Sequence, residues 1–278
     1  MATSSCGTSV YEPADIMAGL YGDGVIGLAG AFSSKFADEM REDIEALFAE
    51  AQATESGVLP RGPKRFYVEI QPERIRGFNL IVTHPWFVAV CSAVLGDNYR
   101  IVEIGFDIPF PGAADQPWHR DFAPPMQTTR DRRLNSLAFN ITAVDTVPEM
   151  GPFEIAPGTQ WDTFEGCPHG MFPPRDKWDR YRRRAVQKMP QRGDISARSA
   201  LTIHRGTANR SQVPRPVLVI GVDAPDAINA DHHDLQMTHD HAATLPEAIS
   251  AHLNCRLVDT LKPVIQHHVI EGLLAPEY

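Results

Sequence analysis

From Tyr99 to Val222 the chain is cut into short runs, and this punctuation leaves few folds open. Segments rich in β-branched and aromatic residues alternate with Pro/Gly turns: Tyr99 to Phe110, Trp118 to Phe122, Leu134 to Asp145, Phe153 to Ala156, Ala185 to Met189, Asp194 to Ala197, Leu201 to His204 and Val217 to Val222. About eight short strands at this spacing point to two sheets closed face to face. No stretch repeats with a fixed period, which sets aside propellers and solenoids. The expected class is mainly β with flanking helices, around a double-stranded β-helix, the cupin-like jelly roll.

The flanks read differently. Ser33 can cap a helix whose Phe36, Met40, Ile44, Leu47 and Phe48 form one apolar stripe opposite Asp38, Glu39, Arg41, Glu42 and Asp43. A second helix is expected from Pro85 to Leu95, with Gly96 closing it. Val25 to Leu28 and Arg65 to Ile70 read as strands, and residues 51–64, with Gly57, Pro60, Gly62 and Pro63, read as a loop able to act as a flap. The resulting division is one domain: residues 1–98 a mainly helical cover and lid, 99–222 the jelly-roll core with an insertion at 160–183, and 223–278 a helical tail with segments near 245–253 and 258–273.

Composition narrows the partners. The 278-residue chain carries a formal net charge of −9, which argues against a nucleic-acid or anionic-membrane surface. Cys6, Cys91, Cys167 and Cys255 are scattered, so structural disulfides are not expected and a reducing compartment is favoured. No run of eighteen apolar residues occurs and no leader pattern opens the chain. A soluble cytoplasmic protein acting on a small molecule, as a monomer or homodimer, is expected.

Chemistry enters at Pro117-Trp-His-Arg-Asp. On an extended strand His119 and Asp121 point to one side while Arg120 turns away. A further imidazole would complete the two-histidine, one-carboxylate face that leaves positions open at non-haem Fe(II), and His204 is the candidate. Arg215, a loop later, is suited to gripping a carboxylate with two parallel hydrogen bonds, with Arg205 and Arg210 as competitors in the same loop. A metal face with a nearby arginine suggests an α-keto acid. The later His232, His233, His239 and His241 fit no single strand or helix face and are expected on a solvated loop.

The chain resembles the phytanoyl-CoA dioxygenase-like (PhyH) Fe(II)/2-oxoglutarate oxygenases over roughly residues 20–225. The resemblance rests on Gln116-Pro-Trp-His-Arg-Asp, on Glu149-Met-Gly-Pro-Phe-Glu-Ile-Ala-Pro-Gly-Thr-Gln, on Arg192-Gly-Asp-Ile, and on His204 through Asn209 and Ser211 to Arg215. It implies that His119, Asp121 and His204 bind iron and that Arg215 pairs with the distal carboxylate of 2-oxoglutarate. With O₂, such an enzyme oxidises an unactivated C–H bond by hydroxylation, desaturation or rearrangement, releasing succinate and CO₂. Members often place a hydroxyl two residues after the second histidine. Here that position is Gly206, so Thr207 or Ser211 is expected to supply it. Related halogenases replace the acidic ligand by a small residue, whereas Asp121 is present.

Alternation on Leu134 to Asp145 puts Ser136, Ala138, Asn140 and Thr142 on one face, making Asn140 and Thr142 candidate co-substrate contacts. Gln116, Trp118, Phe122, Arg130, Phe153 and Trp161 are the candidates for substrate contacts, with Phe106 and Phe164 as further cavity aromatics. Two other readings stay open: a barrel that binds 2-oxoglutarate and metal without turnover, and a cupin-type metalloenzyme that does not use 2-oxoglutarate.

Overall fold

The structure, a computed structural model, describes residues 11–123, 126–164, 170–227, 233–263 and 265–266. In chain order, α1 (Pro13–Gly22) leads to β1 (Val25–Leu28), α2 (Ser34–Ala53), β2 (Leu59–Pro60), β3 (Arg65–Glu69), α3 (Phe78–Val82), α4 (Pro85–Leu95) and β4 (Arg100–Pro109). Then come α5 (Met126–Asp131), β5 (Ser136–Thr142), β6 (Phe153–Ile155), α6 (Trp178–Arg184), β7 (Val186–Lys188), β8 (Ile195–Ser199), β9 (His204–Gly206) and β10 (Val217–Asp223). The chain ends in β11 (Gln236–Thr238), α7 (His239–Ala242), α8 (Glu247–Ser250) and β12 (Arg256–Val258).

A seven-stranded antiparallel sheet, ordered β1-β8-β5-β10-β4-β3-β2, faces a three-stranded sheet, β7-β6-β9. This is the jelly roll, and it leaves the large sheet with two very different faces. Period-two alternation sends Ile104, Phe106, Leu218, Ile220, Phe139 and Ile141 outward, where all are buried in the main core beneath α2 and α4. Phe139 lies 4.2 Å, centroid to centroid, from Phe87 of α4, and Phe106 meets Phe48 of α2. Phe106 therefore belongs to the helix side and not to the interior. The residues between these, Glu103, Asp107, Ser136, Ala138, Asn140 and Thr142 among them, line a cavity of about 190 Å³ between the sheets.

The covering helices form for the reasons their sequences announce. Ser33 accepts a hydrogen bond from the Phe36 amide at 3.2 Å, and Ala37, Met40, Ile44, Leu47 and Phe48 are the buried stripe of α2. Pro85 opens α4 and Gly96, at φ 84°, closes it.

Several expectations change. The first 98 residues supply three strands, β1, β2 and β3, that form both edges of the large sheet, so they are more than a cover. Pro60 lies in the short edge strand β2, so part of the expected flap is sheet. Trp118 to Phe122 makes a single bridge, His119 with His204, instead of a strand. In the tail, Arg256–Val258 pairs in parallel with Gln236–Thr238, so the helix expected from 258 does not begin there, and 267–273 lie outside the described residues. Cys91 is buried and Cys255 half-buried, both as free thiols, while Cys6 and Cys167 lie outside the described residues. Among the described residues, no helix is long and apolar enough to cross a membrane.

Candidate active site

The small sheet brings the two histidines together. His119 and His204 exchange both backbone hydrogen bonds, at 2.9 and 2.8 Å, and residues directly opposed in such a pair project to the same side. Their rings stand 4.4 Å apart. Each Nδ1 donates to a carbonyl of its own segment, His119 to Pro117 and His204 to Thr202, both at 2.8 Å. That tie favours the tautomer with the proton on Nδ1, so that Nε2 of each ring is the nitrogen that offers a lone pair. Burial, helped by the opposite imidazole and by Arg198, pushes the His119 pKa well below its ordinary value, and burial lowers His204 too, so both rings are neutral.

Asp121 completes the group. Its backbone donates to Ala200, and Oδ1 lies 3.3 Å from His204 Nε2. Burial acts to raise its pKa, but Arg198 and His204 outweigh this and hold the carboxyl well below the usual range. Arg198, on β8, grips both carboxylate oxygens, Nη2 reaching Oδ1 at 3.1 Å and Nη1 bonding Oδ2. Among the described residues, no three His, Cys, Asp or Glu donors already surround one point at metal-bonding distance. At this centre the guanidinium of Arg198 holds the carboxylate. The donor chemistry nonetheless suits a divalent first-row metal: two neutral imidazoles with oriented lone pairs and one ionised carboxylate, at a cavity wall.

The adjoining corner is cationic. Arg215, at the approach to β10, lines the cavity, is 6% exposed and donates Nε to the Gly151 carbonyl at 3.1 Å. Arg65, at the start of β3, is 1% exposed and bonds Asp107 (2.8 Å) and the Thr207 carbonyl (2.9 Å). Burial and then the neighbouring Arg65 lower Arg215 to about 10. Among the described residues, two buried guanidiniums thus share one nearby carboxylate, Asp107, which bonds Arg65 and acts on Arg215 through its charge alone. Of the competitors, Arg205 is engaged with Glu154 at 2.7 Å and lies over Trp118, and Arg210 is exposed.

Arg65 also explains Gly206. A Cβ at that position would come within 2.5 Å of Arg65 Cζ, so the side chain must be absent for the guanidinium to lie there. Gly151, at φ 72°, is likewise packed against the backbone of Ala208 and Asn209, which sets its carbonyl against Arg215. Much of the motif after it is structural. Thr159 bridges Ala156 and Ile203, and Gln160 caps the end of α1 through Tyr21 O at 2.8 Å.

The remaining candidates divide. Asn140, Thr142, Gln116 and Phe153 line the cavity; Phe153 stacks on His204 at 5.0 Å, and Gln116 is clamped by the Gly206 amide at 2.9 Å. Thr207 and Ser211 do not line it: the Thr207 hydroxyl donates to Pro152, and that of Ser211 organises its turn with Asn209. Trp118 is fully buried on the outer side of the small sheet with Tyr181 and Ile203, because its strand position alternates with His119. Phe164 packs on that cluster, Phe122 is half-buried away from the cavity, and Trp161 packs near Tyr21. Arg130 is exposed and paired with Asp131. His233 corrects a further expectation: it is buried and bonded to Glu69 in the cavity wall, although His239 is exposed as expected. His232 lies outside the described residues.

Fold and site together define a jelly-roll protein with a His, Asp and His centre beside an arginine-lined corner. The sequence matches the phytanoyl-CoA dioxygenase (PhyH) family over residues 20–217, and the chain belongs to that family. No curated protein matches it in sequence. Solved structures share the fold at low identity. The epimerase SnoN, in complex with Fe3+, alpha ketoglutarate and nogalamycin RO, has a TM-score of 0.62 at 17% identity, covering 76% of this chain and 84% of its own. The non-heme alpha ketoglutarate dependent carbocyclase SnoK from nogalamycin biosynthesis has 0.62 at 18%, covering 81% and 88%. EctD from S. alaskensis, with 2-oxoglutarate and 5-hydroxyectoine, has 0.61 at 15%, covering 80% and 79%.

Proposed function

We propose that this protein is a cytoplasmic Fe(II)- and 2-oxoglutarate-dependent dioxygenase that oxidises a C–H bond of a small metabolite or natural-product intermediate. The observation that carries the reading is the pairing of His119 and His204, each with Nδ1 tied to a carbonyl, with the ionised Asp121, in the same cavity as the buried guanidiniums of Arg65 and Arg215. His119, Asp121 and His204 would hold the metal, and Arg215 the distal carboxylate of the keto acid. When bound, iron and 2-oxoglutarate supply O₂-dependent oxidation coupled to release of succinate and CO₂. The protein's own part is placement. The bridge between the histidines fixes their rings, Phe153 stacks on His204, and Arg65 adds positive charge where the keto acid would end. Asn140 and Thr142 offer polar contacts on the sheet floor. The family and the SnoN, SnoK and EctD folds support this reading. Hydroxylation is the outcome favoured, and the presence of Asp121 favours oxygenation over halogenation.

One observation favours the competing reading of a barrel without turnover: Arg198 occupies both Asp121 oxygens. Aerobic incubation of the purified protein with Fe(II) and 2-oxoglutarate, scored by succinate, separates the two. Fe(II)-dependent succinate that disappears in His204→Ala supports the enzyme. Binding of 2-oxoglutarate without any succinate, across a panel of small metabolites, would leave only the binding protein.

A further inference from the structure

The cavity wall beyond the arginine corner carries a second polar group that the proposed reaction does not use. Glu69 of β3 and Glu103 of β4 line it together with His233 and Tyr67. His233 Nδ1 bonds Glu69 and its Nε2 lies 3.8 Å from Glu103, whose other oxygen accepts from the Tyr67 hydroxyl. Val217, Val219 and Gly221 of β10 line the cavity, and beyond a register shift against β4 at Gly221/Val222 Asp223 pairs with Ser136 of β5 and sits behind the lining, beside His233 and Glu103. It is 1% exposed, and neither of its oxygens has a well-formed hydrogen bond, although the Ser136 hydroxyl is near. Burial raises its carboxyl to about 6. Arg61 stands over the Tyr67 ring at 4.9 Å and pairs with none of these carboxylates among the described residues. Among the described residues, three carboxyl groups therefore gather around one imidazolium, with Arg61 nearby.

Two glycines make room for it. A Cβ on Gly105 would come within 2.6 Å of Tyr67 Cζ, and one on Gly221 would lie 2.8 Å from Glu103 Oε2. The register puts Arg198, Ala138, Gly221 and Glu103 in one row across β8, β5, β10 and β4. Three strand spacings separate the ends, about 14 Å along the sheet. The floor between them is only Ala138 and Gly221, so an extended molecule can lie from the metal centre to the carboxylates. His233 and Tyr67 hold the carboxylates apart, and no three of them converge as metal ligands, which favours an organic cation over a bare ion.

We propose that the substrate carries a protonated amine that docks against Glu69 and Glu103, with the buried Asp223 behind them adding negative charge, leaving its oxidisable carbon beside His119, Asp121 and His204. The inference rests on the oxygenase reading for the identity of the reacting end. The test is calorimetric binding to the anaerobic protein supplied with Fe(II) and 2-oxoglutarate. Primary amines from n-butylamine to tryptamine and 1,4-diaminobutane are each compared with the N-acetyl derivative. The amines are expected to bind about tenfold or more tightly than their neutral partners, the usual scale for a charge-assisted hydrogen bond. Glu103→Gln should abolish the preference in a protein whose cooperative melting shows that it still folds, and Asp223→Asn provides a second variant at the same cluster. Equal binding of amines and N-acetyl partners would overturn the proposal. So would a preference that survives in both Glu103→Gln and Asp223→Asn, or displacement of the amines by Mg(II) alone. If the protein with Fe(II) and 2-oxoglutarate shows no visible absorption band, the oxygenase reading fails, and the calorimetric preference still decides this one.

Discussion

Gly206 lets two guanidiniums share one buried corner, because any side chain there would meet Arg65. Gly206→Ser, which adds a hydroxyl at the position where the family resemblance leads one to expect it, should therefore raise KM for 2-oxoglutarate by about tenfold or more; an unchanged or lower KM would detach Arg65 from co-substrate binding. Arg215→Lys keeps the charge but loses the planar fork, and should weaken 2-oxoglutarate binding by roughly 10- to 100-fold, measured by calorimetry. The buried His233 sets a pH dependence of stability. Burial lowers its pKa, but Glu103, Glu69 and Asp223 outweigh that and raise it to about 9, above the unfolded value of about 6.5. A raised histidine stabilises fully below pH ~6.5, and the contribution is lost as pH rises through about 9, up to about 3 kcal/mol. Melting temperature should fall from pH 6.5 to 9.5, and the slope should flatten in the double variant Glu69→Gln, Glu103→Gln. A slope that is unchanged in the double variant would remove His233 from the pH response.

At the scale of the element, β5 shows how much the sequence makes legible. Its alternation put Ser136, Ala138, Asn140 and Thr142 on one face, and those residues line the cavity while Leu137, Phe139 and Ile141 are buried in the core. Phe139 contacts both Phe87 and Trp86, so Phe139→Ala should cost about 3–5 kcal/mol in denaturant unfolding, far more than the ~1 kcal/mol expected for loss of the Ser33 cap. A near-neutral Phe139→Ala would contradict the packing of α4 on this sheet. Helices α2 and α4 were readable because stripe and cap are local signals. Arg65, Arg198 and Asp223 were not: each sits on a strand of the large sheet, and only the packing of that sheet against the small sheet and its flanking segment places Arg198 against Asp121 or Arg65 against Gly206. His233 misled for a similar reason, since its burial depends on contacts with Glu69 and Glu103, far away in the chain. Trp118 misled in the other direction: being next to His119 in sequence put it on the opposite face.

The whole molecule is a cavity with a cationic corner, a histidine pair and an acidic wall, built on a large sheet whose other face is the hydrophobic core. The family was legible because its blocks keep their order along the chain, even though the Gly-Thr-Gln block serves packing and helix capping. A ligand that binds only the folded state stabilises it by about 2.7 kcal/mol at a hundred times its Kd, so Fe(II) with 2-oxoglutarate should raise the melting temperature, and a chelator should reverse the gain. The most direct test is anaerobic titration of Fe(II) and 2-oxoglutarate into the purified protein, followed by visible absorption. A weak charge-transfer band should appear only when both are present, and it should vanish in folded Asp121→Ala. No band in the folded wild type, or an undiminished band in Asp121→Ala, would contradict the assignment of His119, Asp121 and His204 to iron.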